Sequence, residues 1–89
     1  MVEGEFEIIN RLGLHARAAA KLVHLTGGFT SAVTIIDDGQ QVDGKSILGI
    51  LLLAAAQGSV LTFRCEGPDE TATLEAIASL IQNRFDEDR

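Results

Sequence analysis

The sequence predicts an α+β fold: a two-layer sandwich with a four-stranded antiparallel sheet and three helices over one face. Three observations predict it. Residues 3–9 and Val60–Glu66 alternate between apolar and polar side chains, the period of strands with one dry face and one wet face. Residues 16–26 and 70–85 repeat apolar residues at helical spacing. An Asp-Gly pair at 38–39 follows a β-branched stretch, the signature of a tight hairpin. The resulting order is β-α-β-β-α-β-α. The chain has 89 residues, enough for two layers in one domain, 1–89.

Each element has its own cause. In the first strand Gly4, Phe6 and Ile8 share one face, and Glu3, Glu5 and Glu7 share the other. A loop over residues 10–14 follows, with Gly13 supplying backbone freedom. The helix over 16–26 has Ala16, Ala19, Ala20 and Val23 on one face, with Leu22 at the margin. Arg17, Lys21 and His24 lie opposite, and His15 sits at or just outside the N-cap. Gly27-Gly28 ends it. Residues 29–36 read as a second strand with Phe29, Val33 and Ile35 inward. Asp37-Asp38-Gly39-Gln40 is a type I′ turn into a short edge strand over 41–43.

Ser46 is a good N-cap for a helix over 47–53. That helix is apolar all round. Ile50, Leu53 and Ala54 fit the core, which turns Ile47, Leu48 and Leu51 outward. Such a cluster is either a partner surface or part of a deeply buried helix. In the last strand Leu61, Phe63 and Cys65 point inward. Gly67-Pro68-Asp69 is a turn, with Asp69 placed to cap the final helix. Leu74, Ile77, Ala78, Ile81 and Phe85 give the clearest amphipathic pattern in the chain. Residues 86–89 read as a frayed charged tail.

Composition narrows the function. Four Phe are the only aromatics, so the core is aliphatic. A net charge of −6 argues against a nucleic-acid partner and suits docking on basic protein surfaces. Cys65 stands alone, which excludes an internal disulfide and fits a reducing cytoplasm. The first residues lack the basic and apolar regions of a signal peptide. The longest apolar run, 47–56, is too short to insert across a membrane. Two His and one Cys lack metal-ligand spacing, and no cofactor fingerprint appears, so neither metal nor cofactor is expected. A monomer is expected.

Gly13-Leu14-His15-Ala16-Arg17 carries the chemistry. It puts an imidazole and a guanidinium at a helix start, where backbone N–H groups are free and the macrodipole is positive. Anions bind there readily. A histidine can take up and release a phosphoryl group, and an arginine can hold its oxygens.

These residues resemble a known family. Asn10 to Arg17 is similar to the active-site signature of the histidine-containing phosphocarriers (HPr) of the bacterial phosphoenolpyruvate-dependent phosphotransferase system. Gly44 to Ile50 resembles their second signature, around a regulatory serine, and Gly67-Pro68-Asp69 also fits. The resemblance spans nearly the whole chain and implies an HPr-like fold. It implies that His15 takes a phosphoryl group on Nδ1 from phosphorylated Enzyme I and passes it to an Enzyme IIA-type acceptor, with Arg17 stabilising the phosphate. It implies that Ile47, Leu48 and Leu51 dock partners, and that a kinase can phosphorylate Ser46. Features of both the sugar branch and the nitrogen-related branch are present. One position departs from the family pattern: Ala18 stands where proline usually follows the arginine. Alanine is an excellent helix former, so the helix is expected to survive. The alternative is a regulatory binding module controlled by Ser46 phosphorylation, with His15 secondary. A small hydrolase using His15 as base lacks a nucleophile nearby.

Overall fold

The computed structural model describes residues 1–89. Its elements are β1 (Val2–Glu7), α1 (Ala16–Gly27), β2 (Ala32–Asp37), β3 (Gln40–Asp43), α2 (Ile47–Leu52), β4 (Val60–Glu66) and α3 (Glu70–Gln82), then a short turn over Arg84–Asp86. The strands pair in the order β1-β4-β2-β3, every pair antiparallel. The expected sheet and its three helices are present.

Strand β4 lies between β1 and β2, so its inner side chains have sheet on both flanks and helix above. Leu61, Phe63 and Cys65 are fully buried there. Burial pushes the Cys65 thiol above its ordinary range, with smaller contributions from Glu70 and Asp69. Val33 and Ile35 of β2 join the same layer. Glu3, Glu5 and Glu7 face water on the other side, where Arg64 Nε donates to Glu3 at 2.6 Å. Asp38 and Gly39 both have positive φ, 50° and 84°, as a type I′ hairpin requires.

Four expectations need correction. First, α1 buries Ala18, Ala19, Leu22 and Thr26, while Ala16 and Ala20 are exposed. Leu22 sets the inward face because it has far more apolar surface than any alanine. Thr26 adds a hydroxyl bond to the Gly44 carbonyl at 2.9 Å. Second, β2 begins at Ala32 and Phe29 lies outside it. The preceding backbone bonds to a side chain: Thr30 and Ser31 N–H groups donate to the Asp69 carboxylate at 3.0 and 2.9 Å. Asp69 therefore takes the N-cap position of α3 without a side-chain cap bond. Third, Ala54 is exposed with φ 51°, because α2 ends at Leu52. Fourth, α3 ends at Gln82. Arg84, Phe85 and Asp86 follow in the left-handed region, φ 56°, 54° and 63°. This reversal drops Phe85 into the core from outside the helix. Residues 86–89 are not a frayed tail: the segment folds back over the start of α1, and Lys21 Nζ donates to the Phe85 carbonyl at 2.7 Å.

The Asp69 clamp joins the segment before β2 to the start of α3. The Ser31 hydroxyl, foremost, and the Thr30 N–H hold its carboxyl well below the usual carboxylate range. A carboxyl depressed in the folded state stabilises above its unfolded pKa, and that stability is lost as pH falls. Asp69→Asn is therefore expected to lower Tm at neutral pH. The gap to wild type should narrow once pH falls below about 4, where the unfolded Asp protonates. Calorimetry against pH measures both, and a pH-independent gap would exclude the charge as the cause.

Candidate functional site

Asn10 organises the loop that presents His15. It is fully buried, and its Nδ2 donates to the Gly13 carbonyl at 2.8 Å. Gly13 N–H donates to the Asn10 carbonyl at 3.1 Å, closing the turn from the other side. Gly13 has φ 67°, and a Cβ there would stand 2.5 Å from the Ala55 carbonyl oxygen. Only glycine fits both conditions. The next residue uses that closeness: Leu14 N–H donates to the same Ala55 oxygen at 2.9 Å, and its side chain is buried.

His15 is the N-cap of α1. Its backbone is extended, and its carbonyl accepts from Ala19 N–H at 2.8 Å. Its side chain makes no cap bond and is free for other partners. The ring is partly exposed, at 28%. Nε2 is bonded to the Glu87 carboxylate. Glu87 also accepts from Asn10 Nδ2 at 3.1 Å. Burial alone would raise the Glu87 pKa. The hydrogen bonds from His15 and Asn10, with the charges of His15 and Lys21, outweigh it and hold the group below its ordinary value.

His15 and Glu87 line an open cleft together with Leu12 and three arginines, Arg11, Arg17 and Arg89. Arg17 is exposed and makes no ion pair. The Arg89 carbonyl is tied to the loop, accepting from Arg11 N–H at 3.0 Å. The chain as a whole is acidic, but this face is cationic. A phosphoryl group placed in this cleft would meet a ring nitrogen, guanidinium donors outside any ion pair and the N–H groups of a helix start. Those are the components that phosphoryl transfer needs, because the reaction depends on positioning and charge stabilisation.

The structure brings His15 and Arg17 into one cleft and leaves the other expected residues outside it. Ser46 caps α2, its hydroxyl accepting from Gly49 N–H at 3.1 Å. Ile47, Leu48 and Leu51 are exposed on that helix, at 43%, 69% and 36%. Ile50 and Leu53 are buried, so this helix is not the deeply buried one of the two readings: it has one buried and one exposed side. Leu52 and Leu12 are also exposed and were not expected. Asn10, Glu87, Arg11 and Arg89 join the site beyond the expected pair. Glu87 was hidden because the helical period runs on through Phe85. Phe85 itself was the available signal, since an apolar residue two positions before Glu87 anchors the segment.

Comparison with known proteins places the chain among phosphocarriers. A family model described as the PTS HPr component phosphorylation site matches residues 2–83. The phosphocarrier protein HPr of Cupriavidus necator is 51% identical over 87 residues, 98% of each chain. The phosphocarrier protein NPr of Shewanella violacea is 40% identical over 86 residues, 97% of this chain and 94% of its own. A crystal structure of HPr from Thermoanaerobacter tengcongensis matches with a TM-score of 0.97 at 39% identity, covering 100% of both chains.

Gly13→Ala tests the loop. A left-handed φ and a backbone clash together are expected to cost about 2 kcal/mol or more, lowering Tm by roughly 10 °C. An unchanged melting temperature would show that the loop can adapt without Gly13.

Proposed function

The chain belongs to the PTS HPr family of phosphocarriers, and we propose that His15 is its phosphoryl-bearing residue. In this reading Nδ1 of His15 takes the group from phosphorylated Enzyme I and passes it to an Enzyme IIA-type protein in the cytoplasm. The observation that carries it is the meeting of a partly exposed His15 and an unpaired Arg17 in one cationic cleft. Arg17 holds the phosphate oxygens, and the N–H groups at the start of α1 share the charge. No helix is long and apolar enough to cross a membrane.

The exposed side chains of α2 serve as the dock in this reading. Ile47, Leu48 and Leu51 form an aliphatic surface next to α1 that the fold does not use internally. Ser46 supports a regulatory role because its hydroxyl sits at the start of that helix. A phosphate there would bring nearly two negative charges beside the dock and repel an acidic partner surface. Similarity to both HPr and NPr relatives leaves two outputs in view, sugar uptake and nitrogen-related control.

An intact mass spectrum after incubation with phosphoenolpyruvate, magnesium and Enzyme I tests the carrier role. One acid-labile phosphoryl group is expected on the wild type and none on His15→Ala. Retention of the group by His15→Ala would remove the assignment. For the dock, Leu48→Glu is expected to weaken Enzyme I binding by about tenfold or more, since apolar anchors dominate such surfaces. Its melting temperature should stay unchanged because Leu48 is 69% exposed. Titration calorimetry showing wild-type affinity would move the dock elsewhere.

A further inference from the structure

We propose that Glu87 is a positioning residue for phosphoryl transfer: its carboxylate keeps the proton on Nε2 of His15, so the phosphoryl group enters and leaves at Nδ1 without any proton moving. The inference deepens the carrier reading and rests on it.

The geometry begins with charge. Glu87 is anionic in this setting, and an ionised carboxylate only accepts hydrogen bonds. The Nε2 in contact with it must therefore be the donor. That choice leaves the lone pair on Nδ1, the nucleophilic nitrogen of the carrier reading. The other Glu87 oxygen is held by Asn10, which also shapes the loop before His15. One buried amide thus fixes both the backbone that carries the imidazole and the carboxylate that orients it.

The segment carrying Glu87 is built to stay in place. Three consecutive non-glycine residues, Arg84 to Asp86, hold left-handed backbone. Each is sterically disfavoured relative to ordinary conformations. Such backbone persists where surrounding contacts over-determine it. Here the contacts are the buried Phe85 ring, the Lys21 bond to its carbonyl and the Arg11 bond to the Arg89 carbonyl.

The reaction balances without a base. The Nδ1 lone pair attacks phosphorus, the bond from phosphorus to the donor atom breaks, and its electron pair stays with the donor. The imidazole becomes a cation that still carries its proton on Nε2, in contact with the Glu87 carboxylate. In the next transfer the acceptor attacks phosphorus, the P–Nδ1 bond breaks and its pair returns to Nδ1. The ring is neutral again with the same proton in the same place. If the phosphorylated ring lost that proton, its Nδ1 would become a much poorer leaving group. An adjacent anion opposes the loss. Arg11, Arg17 and Arg89 face the same cleft and pull the other way, while Lys21 is engaged by Phe85 and Asp86 and α2 offers no ionisable side chain.

The test uses the wild type, Glu87→Gln and Glu87→Ala, with ¹⁵N-labelled histidine, charged by phosphoenolpyruvate and Enzyme I. Nitrogen NMR follows Nε2 across pH, and amide spectra report the fold. In the charged wild type Nε2 is expected to keep its proton to a pH about one unit higher than in either variant. Transfer to the acceptor is expected to be about tenfold slower in the variants near pH 8 and little changed near pH 6, as a one-unit shift dictates. Glu87→Gln keeps the shape and a hydrogen-bond acceptor, so it isolates the charge even where Glu87→Ala disturbs the segment. Equal Nε2 titration in charged wild type and charged Glu87→Gln overturns the proposal and leaves the carrier role standing. A wild type that takes up no phosphoryl group overturns both.

Discussion

The backbone hydrogen bond from Leu14 N–H to the Ala55 carbonyl holds the reactive loop against the core at the residue before His15. A carrier histidine has to stand at the surface, where side-chain packing cannot hold it. Position must then come from the backbone on either side. On one side the buried Leu14 is pinned to Ala55. On the other, Ala18 and Ala19 are sealed into the core and His15 starts the helix with its own carbonyl. Gly13 is the cost of that arrangement, because no side chain fits so near the Ala55 oxygen. The Ala18 departure from the family pattern also finds its place here. A fully buried first-turn residue gains from a compact apolar side chain, and alanine keeps good helix propensity.

Much of the fold was legible in the sequence because its signals were local. The alternation in β4 comes from residues that pack on a flat dry layer, so a period of two suffices to place Leu61, Phe63 and Cys65. The Asp38-Gly39 turn follows from backbone sterics alone. The face of α1 was less legible, because six of its twelve residues are alanine, glycine or threonine and carry little hydrophobic contrast. The extra residues at the start of β2 had the opposite cause. Phe29 and Thr30 suit a strand by propensity, and the long-range bonds from Thr30 and Ser31 to Asp69 keep this stretch out of one.

His15 and Arg17 were legible because they lie two apart on one short motif. Glu87 was not, because it meets His15 across 72 positions of sequence. Its approach depends on a left-handed turn over Arg84, Phe85 and Asp86 that propensity does not favour at the arginine and the phenylalanine. The energy that sustains this turn is tertiary: burial of Phe85 and the bonds to Lys21 and Arg11. A charged segment after a helix reads as solvated tail until the core's need for that ring is known.

Charge in this molecule is arranged by layer, and the net value of −6 hides the arrangement. The acidic side chains of β1 line the outer face of the sheet, and Arg64 offsets only part of that charge. The helical side carries the cleft with three arginines around one histidine, and the uncharged α2 packs against α1 there. A partner that delivers a phosphoryl group brings negative charge, and the cleft attracts it while the sheet repels it. Under the proposed function the carrier would be oriented before contact, by steering that reaches about a Debye length. In the proposed docking the steering term weakens at contact as charges pair, and the aliphatic side chains of α2 would supply a term that salt does not screen. Long-range charge and short-range apolar contact thus divide the encounter between speed and register, which is what a relay that must bind, transfer and let go requires.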